Sequence, residues 1–154
     1  MATETTTDVT ARRFAEITEG QTIPALVKRP TNLQLFRYSA VTWNAHLIHY
    51  DDAYARSEGY PAVLVQSHLH GCFLIQTAVD WAGPGARLRR FRWENRHLAI
   101  PGDVLTCDGR VTATRTEDGV GVVECELFEH NQDGKLCAPG WAVLEFPMTP
   151  GGSA

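Results

Sequence analysis

The sequence predicts an α+β domain in which a strongly curved antiparallel sheet wraps one long buried helix. Three observations carry that prediction. Residues 67–81, SHLHGCFLIQTAVDW, place apolar side chains on nearly every side of a helix, the pattern of a core helix rather than a surface one. After them come segments of alternating polarity separated by turn signals. The connections between those segments are short, which favours antiparallel neighbours. A length of 154 residues suits one domain with a single sizeable core. The domain is assigned to 14–148, with the polar, Thr-rich residues 1–13 and the Pro/Gly/Ser-rich residues 149–154 as flexible tails.

The elements follow in chain order. Thr22–Lys28, bounded by Gly20 and Pro30, reads as a short extended segment. Thr31 and Gln34 have the spacing of a capping box, and Leu33, Leu35, Phe36 and Ala40 give a helical stripe to about Thr42. A second helical piece, Asp52–Ser57, stops at Gly59, where Tyr60-Pro61 forces extension. Gly71 weakens the long helix by about 1 kcal/mol relative to Ala, so its presence predicts a close backbone approach to a sheet or a partner. Four strands are expected after that helix. The first covers 87–100. Leu105, Cys107, Val111 and Ala113 alternate with polar residues in the second, and Val123, Cys125 and Leu127 with Glu124 and Glu126 in the third. The last covers 136–148. Turns fall at Pro101-Gly102-Asp103, Glu117-Asp118-Gly119 and 131–134.

Bulk composition narrows the function. A net charge of −4 argues against a nucleic-acid surface. No apolar run approaches the length of a membrane span. The N-terminal MATETTTDVTARRF lacks the apolar core of a secretion signal, and a cytoplasmic location is expected. Cys72, Cys107, Cys125 and Cys137 form no CxxC pair and read as free, buried thiols.

Groups able to move protons concentrate in 31–70. His49 titrates near neutrality and suits general acid–base work, and Asn44 can anchor a water but cannot shuttle a proton. The alternative is that His49 only caps a turn. Amides at the start of the long helix, near Ser67, lack intrahelical partners and can polarise a carbonyl, although Ser67 as an ordinary N-cap explains the same residue. His46, His49, His68 and His70 also admit a metal reading. His68 and His70, however, point about 200° apart on a helix, no Cys stands at ligand spacing, and no metal is expected. Arg87, Arg89, Arg90, Arg92 and Arg96 form the one basic run. Arg90 and Arg92 are its candidates for the phosphate of a thioester carrier, against a plain solvated strand face. There is no GxSxG, GxGxxG or Walker-type loop.

The string YSAVTWNAHLIHYDDAYARSEGYPAVLV resembles the MaoC-like hydratases and dehydratases of the hot-dog superfamily, and most of all the branch of the mitochondrial-type 3-hydroxyacyl-thioester dehydratases. The likeness is densest over 35–69 and looser over 91–145, and PGDVLTCDG is typical but weak alone. It implies a hot-dog fold, usually dimeric, and interconversion of 2-enoyl and 3-hydroxyacyl thioesters of CoA or a carrier protein, with no cofactor. The family motif carries its His onto His49, its Asp onto Asn44, its Asn onto His46 and its Pro onto Leu47. The thioester carbonyl is then received near Ser67, flanked by Gln66 and His68. Asn44 departs from the family carboxylate, and Gln66-Ser67-His68 from the usual His-Gly pair; Asp51 is the alternative source of the acid. Those departures leave two alternatives open: a non-catalytic partner subunit in a pair of unlike chains, or an acyl thioesterase. A homodimer is the expected assembly.

Overall fold

A computed structural model describes residues 11–148. Five antiparallel strands, β1 (Thr22–Lys28), β2 (Arg87–Trp93), β3 (Leu105–Glu117), β4 (Val120–His130) and β5 (Leu136–Pro147), form one sheet in the order β1-β3-β4-β5-β2. Three α-helices precede β2: α1 (Asn32–Thr42), α2 (Asp52–Ser57) and α3 (Ser67–Ala82). The core lies between α3 and the sheet, where Leu69, Phe73, Leu74 and Ala78 meet Cys107, Cys125, Leu127 and Leu144. Every strand pairing carries a register shift, for example between Val111 and Ala113. Such bulges bend and twist a ladder, which lets a short sheet curve around a helix.

Thr31 caps α1 by accepting from the Gln34 amide at 3.2 Å. The apolar stripe expected to bury α1 is turned the other way. Leu35 and Ser39 face the core, while Leu33, Phe36 and Val41 are exposed. α3 is likewise not buried all round, because His68, Cys72, Gln76 and Val79 form an outward stripe. Cys72 is therefore an exposed thiol, against expectation, and the other three cysteines are buried and free. Gly71 behaves as its spacing implied: a Cβ there would stand 3.0 Å from the indole of Trp93 on β2.

The segment 87–100 is a strand only to Trp93, and it does not pair with the next strand in sequence. It lies at the far edge against β5, Arg87 opposite Glu145 and Trp93 opposite Gly140. Beyond Trp93 the chain follows β5 irregularly, with the Arg96 amide donating to the Cys137 carbonyl at 2.8 Å, until the Ala99 carbonyl accepts from the Val65 amide at 2.9 Å. That detour brings 94–99 beside the start of α3. Of the expected tails, 1–10 and 149–154 lie outside the described residues, and at Arg12 the guanidinium donates to the Trp81 carbonyl and rests over its ring.

Candidate active site

Between α1 and α2 the chain is locked by its own polar side chains. Trp43 closes α1 in the left-handed region at φ 53°. Asn44 Oδ1 accepts from the His46 amide at 3.4 Å, and His46 Nδ1 accepts from the Ile48 amide at 3.4 Å. A single 3-10 turn, Leu47–His49, follows. Asp51 accepts from the Tyr54 amide at 2.9 Å and starts α2, so its carboxylate serves as a helix cap. The result swings His49 inward while Asn44 and His46 remain near the surface.

The His49 ring is buried, and its Nδ1 lies 2.9 Å from the Leu64 carbonyl oxygen. A carbonyl only accepts, so Nδ1 carries the hydrogen and Nε2 is left with its lone pair. Burial holds the pKa of His49 below the usual imidazole value; the Leu64 carbonyl works against that shift, and the neighbouring His46 adds to it. A neutral ring with Nε2 free is the form a general base requires.

A cavity of about 350 Å³ opens at this ring. It is lined by His49, Tyr60, Leu64, Val65, Ser67, His70, Asn95, Arg96, His97 and Leu98. Ser67 is the first residue of α3, and Asn95 Nδ2 donates to its hydroxyl at 2.5 Å. The Leu69 and His70 amides turn back to the Gln66 carbonyl at 2.9 and 3.2 Å. The Ser67 and His68 amides have no acceptor among the described residues, and they lie at the positive end of the helix dipole.

The residues expected at the site divide accordingly. His49 and Ser67 share the cavity. Gln66 does not line it. Its side chain is fully buried and donates to the Leu35 carbonyl at 2.8 Å and to Ser39 Oγ at 3.0 Å, tying α1 to the head of α3. His68 is exposed and packs edge-on against Trp93, with ring centroids 5.5 Å apart. Asn44 and His46 shape the loop rather than the cavity wall. Arg92 lies over the Trp141 ring at 4.1 Å and Arg90 is exposed on β2; the arginine at the cavity is Arg96, from the same basic run. Among the described residues, no three His, Cys, Asp or Glu side chains converge as a metal-holding group.

In the sequence His70 stands out only as half of an HxH pair, and Glu129 is not singled out. They meet in the core, Nδ1 of His70 on Oε1 of Glu129, with the Cys107 thiol 3.6 Å from the other oxygen. Burial, then the adjacent Glu129, hold that thiol protonated. A signal for Glu129 was present, since Val123, Cys125, Leu127 and Glu129 share one parity on β4 and hence one face.

The model for the hydroxyacyl-thioester dehydratase type 2 family matches residues 2–101. Over 45 residues, 29% of this chain, the sequence is 51% identical to mesaconyl-C(4)-CoA hydratase of Chloroflexus aurantiacus. Over 53 residues, 34% of this chain, it is 46% identical to the mitochondrial hydroxyacyl-thioester dehydratase type 2 of Schizosaccharomyces pombe. Each alignment spans 16% of the relative. The R-hydratase PhaJ1 of Pseudomonas aeruginosa superposes with a TM-score of 0.80 at 21% identity, covering 92% of this chain and 96% of that one. The ChsH1-ChsH2 complex of Mycobacterium tuberculosis supplies a chain with a TM-score of 0.75 at 20% identity, covering 84% and 98%. The architecture is the hot-dog fold.

Proposed function

Because the chain belongs to the hydroxyacyl-thioester dehydratase type 2 family, we propose that it interconverts 2-enoyl and 3-hydroxyacyl thioesters by adding or removing water. The reading rests chiefly on the buried His49, whose Nε2 stays unprotonated beside a cavity that also holds the head of α3. In hydration the His49 lone pair takes a proton from water as the oxygen attacks C3 of the enoyl group. The Ser67 and His68 amides receive the thioester carbonyl oxygen as it gains charge. Asn44 orients the loop that contributes His49, its Oδ1 accepting from the His46 amide. Arg96, in place of Arg90 or Arg92, meets the phosphate of CoA or of a carrier protein. No cofactor takes part.

The names of the relatives, a CoA-ester hydratase and a hydroxyacyl-thioester dehydratase, support the reaction class. A homodimer is the assembly we propose. The similarity to a chain of the ChsH1-ChsH2 complex, whose two subunits carry different names, supports pairing with a second, unlike subunit as the alternative. Purified protein should lower the ultraviolet absorbance that the conjugated enoyl thioester adds to a 2-enoyl-CoA, without releasing free thiol. Thiol release instead would identify a thioesterase. Activity only after mixing with a homologue would identify a supporting subunit. A His49→Ala variant should lose about 100-fold or more in kcat, and one as fast as wild type would remove the proposed base. Light scattering at assay concentrations distinguishes a dimer from a monomer.

A further inference from the structure

A hydratase must move two protons, one from water and one to C2, and of the two imidazoles in the loop of this chain only His49 reaches the cavity, while an amide, Asn44, stands where the motif would carry an acid. The geometry points to His70, backed by Glu129, as the second proton-transfer group of the site, supplied by the central helix and the sheet instead of by the loop. This inference rests on the hydratase reading above.

His70 lines the same cavity as His49 although it is only 3% exposed. Its Nδ1 is committed to Glu129, so Nε2 is the ring nitrogen available to a ligand. Glu129 is 0% exposed, and its partners among the described residues are His70 and the Cys107 thiol. A lone carboxylate at such depth is disfavoured, so we assign the buried pair no net charge and one proton shared between Oε1 and Nδ1. Two arrangements satisfy that condition: a carboxylate with an imidazolium, or a carboxylic acid with a neutral imidazole. Both leave a hydrogen on Nε2. His70 therefore presents a donor to the cavity, whereas His49, bonded to a carbonyl, presents an acceptor. Two histidines in one cavity carry opposite roles because one leans on a carboxyl group and the other on a peptide carbonyl.

The steps balance. Water loses a proton to His49 Nε2 while its oxygen bonds to C3. The C2–C3 π pair moves to C2, as an enolate delocalised onto the thioester oxygen. The bond from His70 Nε2 to hydrogen then breaks and the hydrogen bonds to C2. His49 ends protonated and the His70–Glu129 pair ends one proton short, and a water in the cavity carries the proton from one to the other. Dehydration runs the same steps backwards. Glu129 is a positioning residue, acting through His70.

The test compares wild type with His49→Ala, His70→Gln, His70→Phe, Glu129→Gln and the double variant His70→Leu/Glu129→Leu, each checked for folding by near-ultraviolet circular dichroism. Crotonyl-CoA hydration gives kcat and KM. Hydrogen–deuterium exchange at C2 of butyryl-CoA in D2O, read by mass spectrometry, isolates the C2 step from the water step. Both single His70 variants should lose about 100-fold or more in kcat with KM within about threefold, and Glu129→Gln should lose less. C2 exchange runs through the form in which Nε2 of His70 has first given its hydrogen to cavity water; it does not need His49, and should survive in His49→Ala and vanish in His70→Gln. If the single His70 variants fail to fold, the apolar double variant, which leaves no buried charge, carries the same expectation. Folded His70 variants with wild-type kcat overturn the inference and leave the hydratase reading standing, as does exchange lost only in His49→Ala. Wild-type protein that neither hydrates any 2-enoyl-CoA nor exchanges C2 hydrogen overturns both.

Discussion

An imidazole that gives its Nδ1 hydrogen to the Leu64 carbonyl and sits with its ring buried is set to be neutral, and position 49 combines the two. Burial lowers its pKa, so the folded chain resists protonation there more than the unfolded chain does. Below the unfolded value of 6.5 the unfolded state binds the extra proton, so the contribution of His49 to stability is whole above that pH and is lost as pH falls through the folded value. Urea midpoints of wild type and His49→Gln, compared at pH 7 and again at mildly acid pH, should converge on acidification. For activity, the same lowering should put the acid limb of the kcat–pH profile below 6.5. A limb at or above that pH would mean that some other group is the base.

At the scale of elements, β2 holds the head of α3, whose Ser67 lines the cavity, through Trp93. Trp93 stacks on Phe91 at 5.5 Å and donates from Nε1 to the Ser67 carbonyl at 3.2 Å, so its indole is held on two sides. It lies over Gly71 so closely that the position admits no side chain without displacement. Alanine at 71 would ordinarily strengthen a helix by about 1 kcal/mol. Here overpacking should win, and Gly71→Ala should lower stability by about 1 kcal/mol net in urea unfolding. The same substitution in a Trp93→Leu background should cost little or nothing, because the neighbour that collides with it is gone. Any displacement of Trp93 also moves the Ser67 carbonyl, so Gly71→Ala should raise KM in the hydratase assay.

Across the molecule, the His70–Glu129 pair links the helix that heads the site to β4 in the middle of the sheet. Removing one partner strands the other, so His70→Leu alone should cost about 3–5 kcal/mol. Replacing both with leucine removes the stranded charge, and the double variant should be more stable than His70→Leu by equilibrium unfolding in urea. A double variant less stable than the single one would show that the pair itself holds the fold together. The exposed apolar residues Leu33, Phe36, Val41 and Trp43 belong to this scale too. They leave α1 with an outer face more apolar than its inner one.

Much of this molecule is written in local pattern. Alternation marked β3 and β4, the Thr31 cap marked the start of α1, and an apolar run marked α3, because backbone geometry repeats at short range and side-chain chemistry follows its period. Gly71 announced a close approach, and the string around His49 announced the family. Local pattern could not say which strand lies beside which, so β2 was expected next to β3 and is found against β5. It could not turn α1 the right way round, because burial depends on what stands opposite and not on the helix alone. It also missed the meeting of His70 with Glu129, residues 59 positions apart in the chain and joined only when the sheet curves over the helix. Where a charge ends up relative to other charges is decided by the folded path of the backbone, and only there does a second imidazole acquire a carboxyl group to lean on.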